Sequence, residues 1–352
     1  CRAVSPAIIN FSTIILLFIL SRVKVTKKMC NFERFIYFVQ TMKLNYIKCH
    51  GSGNEFVLFD AVAEDMSKIE LSALSEAVCN RATGIGVDGI LLLVQNDEGL
   101  YGMRMFNPDG SEAEMCGNGI RCVARLAQHY TKTEQFDLTS GGKVYPTACY
   151  SPIFGDIPTY GVKIGVRLWS DDFAMEQSES GDFIDRVIEE LHPSLRWTAI
   201  SVGNPHIVAR VERCDLALLE QLGKRVKTLK SVFPNGVNIS FVELRGDNHI
   251  FVTTFERGAG ITPSCGTAMT SSATAMALQG VCSYERDITV ENRGGVVRCI
   301  CSNTPSLATT LIGNASFTEC GEVDFDGKSF AYTTQQIFSD EIEAWRSFLQ
   351  SR

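Results

Sequence analysis

MFNPDGSEAEMCG, residues 105–117, is echoed about 150 residues later by TFERGAGITPSCG, residues 254–266. Phe106 leads to Cys116 in the first stretch as Phe255 leads to Cys265 in the second, and a glycine follows each cysteine. Working outward, "GSGNEF" places Asn54 where "SVGNPH" places Asn204. "GVDGILLLV" centres on Asp88 as "GVNISFVEL" centres on Asn238, and Gly141-Gly142 and Gly294-Gly295 close the series. A run of matches in one order at nearly one spacing implies two halves that share a fold, with a period far longer than solenoid repeats show.

Within each half, "EFVLFD", "GILLLV", "NISFVEL" and "IFVTTFE" read as strands bounded by Gly, Asn and Asp. "KIELSALSEAVCNR" has helical spacing, and "SGDFIDRVIEELHP" (180–193) reads as a helix that stops before Pro193. After each special cysteine comes a further helical stretch: "GIRCVARLAQHY", and "TAMTSSATAMALQG" ending at Gly280. A helix so rich in Ala, Ser and Thr implies close packing on all sides. The expected fold class is α/β (of the α+β kind): two pseudo-symmetric domains, each with strands wrapped around a central helix, and an active site in the cleft between them.

At 352 residues, 45 % hydrophobic and 21 % charged, the chain has the profile of a soluble globular protein. A net charge of −7 without a basic run excludes nucleic acid as a partner. Thirteen cysteines, an odd number without a CxxC pair, fit neither a disulfide framework nor a structural zinc site, so a reducing cytoplasm is expected. "IINFSTIILLFIL" (8–20), followed by Arg22, Lys24, Lys27 and Lys28, falls short of a membrane span. Residues 1–42 are therefore read as an extension, upstream sequence ahead of a start at Met42 rather than an anchor, and no membrane is expected for the core. The first half is placed at 43–158, joined by strands near 312–328, the second at 159–311, and a tail at 329–352. "SDEIEAWRSFLQ" in that tail reads as an amphipathic helix to pack on the domain or on a second subunit, a homodimer being the expected assembly.

Cys116 and Cys265 each stand before the start of a helix, where unpaired N–H groups and a partial positive charge favour a thiolate and a nearby carboxylate. Facing halves would set one sulfur on each side of a bound molecule. That arrangement suits inversion of an α-carbon, with a base on one face and an acid on the other.

With "HGSGNEF", "NRATGIGVDG", "FNPDGSEAEMCGNGIRC", "VGNPH", "FPNGVNISF" and "ERGAGITPSCGT" in order over roughly residues 43–325, the chain resembles the diaminopimelate epimerases, cofactor-independent amino-acid epimerases. The resemblance implies two similar α/β halves with the site between them, and interconversion of LL- and meso-2,6-diaminopimelate in lysine and cell-wall precursor biosynthesis. It implies neither pyridoxal phosphate nor a metal. It makes Cys116 and Cys265 the acid–base pair, and Gly117, Asn118, Gly266 and Thr267 the cradle of the reacting carboxylate. Asn54, Asn107, Asn204, Asn238, Glu256 and Arg257 then hold the substrate, mostly at its distal end, where a zwitterion calls for this mixture of donors and acceptors. His206 is a supporting residue rather than a metal ligand, having no partners at metal spacing. Ile261, Ala268 and Cys49 depart from the usual Glu, Gly and Met of the family.

Other readings are a proline or hydroxyproline racemase, which would lack the Glu-Arg pair, a thiol redox protein, or a non-catalytic amino-acid-binding module. Two sulfurs favour catalysis. "TGIGVDG" lacks the spacing and the Lys-Ser/Thr of a phosphate loop.

Overall fold

The computed structural model describes residues 42–176 and 179–351, so the extension expected at 1–42 lies, but for Met42, outside the described residues. β1 (Met42–Gly51) and β2 (Asn54–Asp60) form an antiparallel hairpin, turned at Ser52 and Gly53, both at positive φ. After α1 (Leu71–Cys79), β3 (Ile90–Gln95) lies parallel to β2, and β4 (Tyr101–Phe106) antiparallel to β3. The short β5 (Glu112–Ala113) leads into α2 (Gly117–Thr131). β6 (Gln135–Ser140), parallel to β4, then begins a meander through β7 (Lys143–Tyr150) and β8 (Thr159–Gly165).

The second half repeats that series. β9 (Arg186–Ile188) borders β10 (His192–Ser201), which pairs antiparallel with β11 (Pro205–Arg210). α3 (Leu216–Val226) precedes β12 (Asn238–Gly246), parallel to β11, and β13 (His249–Glu256), antiparallel to β12. Next come β14 (Gly260–Thr262), α4 (Gly266–Leu278), and β15 (Asp287–Asn292), which is parallel to β13. β16 (Gly295–Ser302) and β17 (Ala308–Asn314) complete the meander. β8 and β17, equivalent strands, pair antiparallel with Val162 opposite Leu311, so the pseudo-twofold axis runs through that seam. β18 (Ser316–Phe325) returns to β1, and β19 (Phe330–Ile337) and α5 (Ser339–Gln350) end the chain.

Alternation along the strands explains why they read as nearly continuous apolar runs. In β3, Leu91 and Leu93 face a core built on α2, whereas Ile90 and Leu92 face a second core against Leu74 and Val78 of α1. In β12, Val242 points to the central core, and Ile239 and Phe241 point to Leu219 and Leu222 of α3. Both faces are dry, and each such fully buried leucine contributes about 2–3 kcal/mol. The central core continues across the seam and includes residues of both α2 and α4. α4 is buried from Ala268 through Ala277, which answers its small-residue composition. It ends as expected at Gly280, at φ +70, with the Val281 and Cys282 N–H groups returning to the Met276 carbonyl.

One expectation fails. Residues 180–193 hold no helix: Arg186–Ile188 is β9, paired with β10. Asp185 adopts φ +50, outside the right-handed helical region, and its carboxylate accepts from Arg196 Nε at 2.9 Å. Phe183, Ile188 and Leu191 are drawn into the core beneath Trp197, so burial overrides the helical spacing. α5 matches its expected span and packs on this chain across both halves, Phe348 joining a cluster with Ile157 and Val296. Arg125 forms a half-buried pair with Glu341 (2.7 Å) and lies over the Phe317 ring, and Trp345 meets His50 with centroids 4.9 Å apart.

Candidate active site

The seam brings the starts of α2 and α4 together. A Cβ built on Gly266 would lie 3.2 Å from Gly117 Cα, so the first residues of the two helices touch. Cys116 and Cys265 cap these helices with nearly the same backbone, φ −137 with ψ 113 and φ −137 with ψ 112. Cys116 carbonyl accepts from Ile120 N–H and Cys265 carbonyl from Met269 N–H. Both residues border one cleft of about 460 Å³, lined from the first half by Asn54, Gly117 and Asn118 and from the second by Asn204, Glu256, Arg257, Gly266 and Thr267.

Equivalent residues repeat equivalent contacts. Asn118 Nδ2 donates to Asn54 Oδ1 at 3.4 Å, and Asn204 Nδ2 donates to Thr267 Oγ1 at 3.3 Å. In each half, the second helical residue thereby holds the asparagine that opens a strand or turn. Asn54 Nδ2 also donates to Asp88 (2.8 Å), which is paired with Arg81 at 2.6 Å. In the second half, buried His206 takes the supporting place, its Nε2 lying 3.1 Å from Asn204 Oδ1 and 3.4 Å from Asn238 Nδ2. Burial, and then Arg257, lowers the His206 pKa to about 3, so the ring is neutral.

Two expected ligands do not line the cleft. Asn238 is buried, with its Oδ1 accepting from Arg257 N–H at 3.0 Å, so it positions Arg257. Asn107 sits in the turn after β4, with its amide on Ser111 Oγ at 3.0 Å. Arg257 is exposed, bonded to the Asn235 carbonyl at 3.2 Å, and forms no ion pair with Glu256 or Asp109 among the described residues. Glu256 instead accepts from Thr262 Oγ1 at 2.5 Å. Glu114, Met115, Lys143, Tyr145, Val202, Gly203 and Ser264 also border the cleft, though the repeat gave no reason to select them.

The environments of the two sulfurs differ. Burial raises the Cys116 thiol, opposed by the Gly119 and Asn118 N–H groups and by Arg121. Cys116 Sγ lies 3.4 Å from the Gly119 nitrogen, so the helix start does aim a donor at it. Burial also raises the Cys265 thiol strongly, the Glu256 carboxylate adds to the rise, and Thr267 Oγ1 at 3.4 Å opposes it.

Of the three departures, Cys49 and Ala268 are fully buried packing residues and Ile261 lies against the outer core of the second half. Cys79, Cys122, Cys282, Cys299 and Cys301 are likewise buried, the inert placement expected of most cysteines here. Among the described residues, no group of three or more His, Cys, Asp or Glu is placed to hold a metal ion, and no helix is long and apolar enough to cross a membrane.

A sequence model described as diaminopimelate epimerase matches residues 46–149 and 198–318. The chain is similar to a diaminopimelate epimerase from Clostridium acetobutylicum, 34% identical over 88% of this chain and 95% of that protein. A diaminopimelate epimerase from Ligilactobacillus salivarius is 36% identical over 80% of this chain and 90% of its own. Among solved structures, a PhzF-family phenazine biosynthesis protein from Bacillus anthracis matches with a TM-score of 0.57 at 18% identity, covering 80% of this chain and 99% of its own. A hydroxyproline epimerase from Agrobacterium vitis matches with a TM-score of 0.53 at 13% identity, covering 81% and 93%. These two share the two-half fold, and the curated relatives share the sequence.

Proposed function

The chain belongs to the diaminopimelate epimerase family, and from that premise we propose that it interconverts LL- and meso-2,6-diaminopimelate through Cys116 and Cys265, without a cofactor. The observation that carries the reading is the pair of cysteines in one backbone conformation, capping two helices whose first residues touch at the floor of one cleft.

The reacting carboxylate is placed over the joined helix starts, where N–H groups of Gly117, Asn118, Gly266 and Thr267 and two helix dipoles favour negative charge. As one thiolate takes the α-proton and becomes a thiol, negative charge spreads from the carbon into that carboxylate, and the same donors stabilise it. The opposite thiol gives its proton to the other face of the carbon and is left as the thiolate. The two sulfurs have then exchanged roles, and the stereocentre is inverted. Asn204, Glu256 and Arg257 hold the distal amino and carboxylate groups, with Asn238 and His206 fixing Arg257 and Asn204. Asn54 steadies Asn118, and Asn107 contributes once substrate draws its turn inward.

A small-molecule substrate needs neither nucleic acid nor a membrane. Two working thiols suit a reducing compartment such as the cytoplasm, and the exposed edge strand β19, carrying Tyr332 and Ile337, supports a homodimer. The test is incubation with LL- and meso-diaminopimelate in deuterated water. α-Deuterium with inversion is expected, and Cys116→Ala and Cys265→Ala should each abolish turnover. Near-normal turnover in either variant would refute the two-thiol reading.

A further inference from the structure

The repeat is broken at two charged positions inside the helices, Arg121 and Arg125, where α4 has Thr270 and Thr274, and of these Arg125 is paired with Glu341. Arg121, in the second turn of α2, is fully buried, and among the described residues it has no carboxylate partner. Its guanidinium donates to the Gly117 carbonyl (2.7 Å), Asn118 Oδ1 (3.1 Å), Ser52 Oγ (3.1 Å) and the Asn314 carbonyl (3.3 Å), all neutral acceptors. Space has been left for it: a Cβ on Gly51 would lie 2.9 Å from Arg121 Nη2, and one on Gly313 would lie 2.7 Å from Cζ. In α4 the equivalent residue is Thr270, whose hydroxyl donates to the equivalent carbonyl, Gly266 O, at 2.9 Å. The bond is kept and the charge is not. A second exchange runs the same way, since Glu256 beside Cys265 stands where Asn107 stands in the first half.

An unpaired buried guanidinium is costly unless negative charge comes near it, whereas a carboxylate beside a thiol holds the proton on sulfur. Resting on the two-thiol reading above, we propose that Arg121 is a positioning residue whose buried charge, absent at Thr270, makes Cys116 the more readily ionised of the two thiols. Arg121 thereby removes a degeneracy that two equivalent helix starts would otherwise leave: the first proton to leave the pair leaves Cys116. The same guanidinium fixes Gly117 O and Asn118 Oδ1, and so the first turn that carries the Gly119 N–H toward Cys116. The other titratable groups that face Arg121 do not compensate it. Cys122 and Cys299 are buried cysteines, and His50 is kept neutral, its pKa lowered to about 4 by burial and by Arg121 and Lys48. Arg121 opposes the rise that burial imposes on Cys116, whereas Glu256 adds to the rise at Cys265, in agreement with this polarity.

The experiment is alkylation of the full chain by iodoacetamide without substrate, followed across pH at Cys116 and Cys265 by peptide mass spectrometry. The pH midpoint, rather than the rate, is compared, because access differs between sites. Cys116 should titrate below Cys265. In Arg121→Met the Cys116 midpoint should rise by about one unit or more, with Arg121→Lys restoring most of the wild-type value. Glu256→Gln should lower the Cys265 midpoint, a second arm that stands even where Arg121→Met fails to fold. An unchanged Cys116 midpoint in folded Arg121→Met, or Cys265 titrating first in the wild type, would overturn the inference. α-Deuterium exchange in the two alanine variants separates the failures. Inversion that needs both sulfurs while Cys265 titrates first defeats the polarity alone, and inversion with α-deuterium that persists when one sulfur is removed defeats the two-thiol reading with it.

Discussion

Adding one methyl group at the contact of the helix starts tests whether that contact sets the gap between the sulfurs. In Gly266→Ala the new Cβ would lie 3.2 Å from Gly117 Cα and 3.2 Å from Leu311 Cδ2. Carbon atoms rest at about 3.5–4.0 Å, so the backbones must part by roughly 0.3–0.8 Å. In Gly117→Ala the nearest atom is Leu311 Cδ2, at 2.8 Å, and Gly266 Cα lies at 3.5 Å, already an ordinary contact. One variant thus pushes on backbone and the other on the end of a side chain. Both keep the N–H groups of the carboxylate cradle, so the effect falls on kcat rather than KM. If a misplacement near 1 Å costs about 100-fold, Gly266→Ala should lose roughly 4–40-fold in kcat. Overpacking of about 1–3 kcal/mol, partly offset by the reduced freedom of the unfolded chain, should leave Gly266→Ala about 0–2 kcal/mol less stable. Gly117→Ala should lose less kcat, and Leu311→Val should restore it by withdrawing the opposing methyl. The assay is α-deuterium exchange with kcat and KM resolved, alongside urea unfolding. Unchanged kcat and stability in Gly266→Ala would show that the contact does not hold the sulfurs apart.

Arg257→Met should lower kcat/KM for meso-diaminopimelate by about 10–100-fold through the loss of charged hydrogen bonds. It should narrow the preference over lysine and proline; unchanged selectivity across the three would make Arg257 structural. Stability should also fall in mild acid. His206 and His50 are neutral in the fold, with pKa values lowered to about 3 and about 4 by burial, against about 6.5 when unfolded. The unfolded chain binds more protons between these values, so their contribution is complete above about pH 6.5 and is lost as pH falls toward 4 and 3, on the order of 3 kcal/mol for each. The urea midpoint followed from pH 7 to pH 4 should decline accordingly, and His206→Phe, copying Phe56 at the equivalent place, should flatten it. The same slope in that variant would refute the assignment to His206.

The duplicated architecture was legible in the chain because turns, glycines and strand patterns recur with their spacing intact: Asn54 with Asn204, Asp88 with Asn238, Cys116 with Cys265. These are local signals, since a strand bounded by glycine or a helix started by its cap is specified within a few residues. Four of the five helices of the described residues carried such signals in the stretches singled out. The 180–193 segment did not become a helix because its spacing fits either structure, and Trp197, β10 and the Asp185–Arg196 contact decided between them. The cleft itself needed the tertiary structure. Pairing of β8 with β17 across the seam is what makes Gly117 touch Gly266, and no periodicity reports on that contact. Nor could sequence separate Asn204, which lines the cleft, from Asn238, which stands behind Arg257, as both are asparagines at repeat positions. Arg121 carried a faint signal, a cation in the apolar run "GIRCVA" where the echo has threonine. Its charge acquires meaning only through burial without a counter-ion, because the field of a charge depends on the dielectric around it, and that is set by the packed fold.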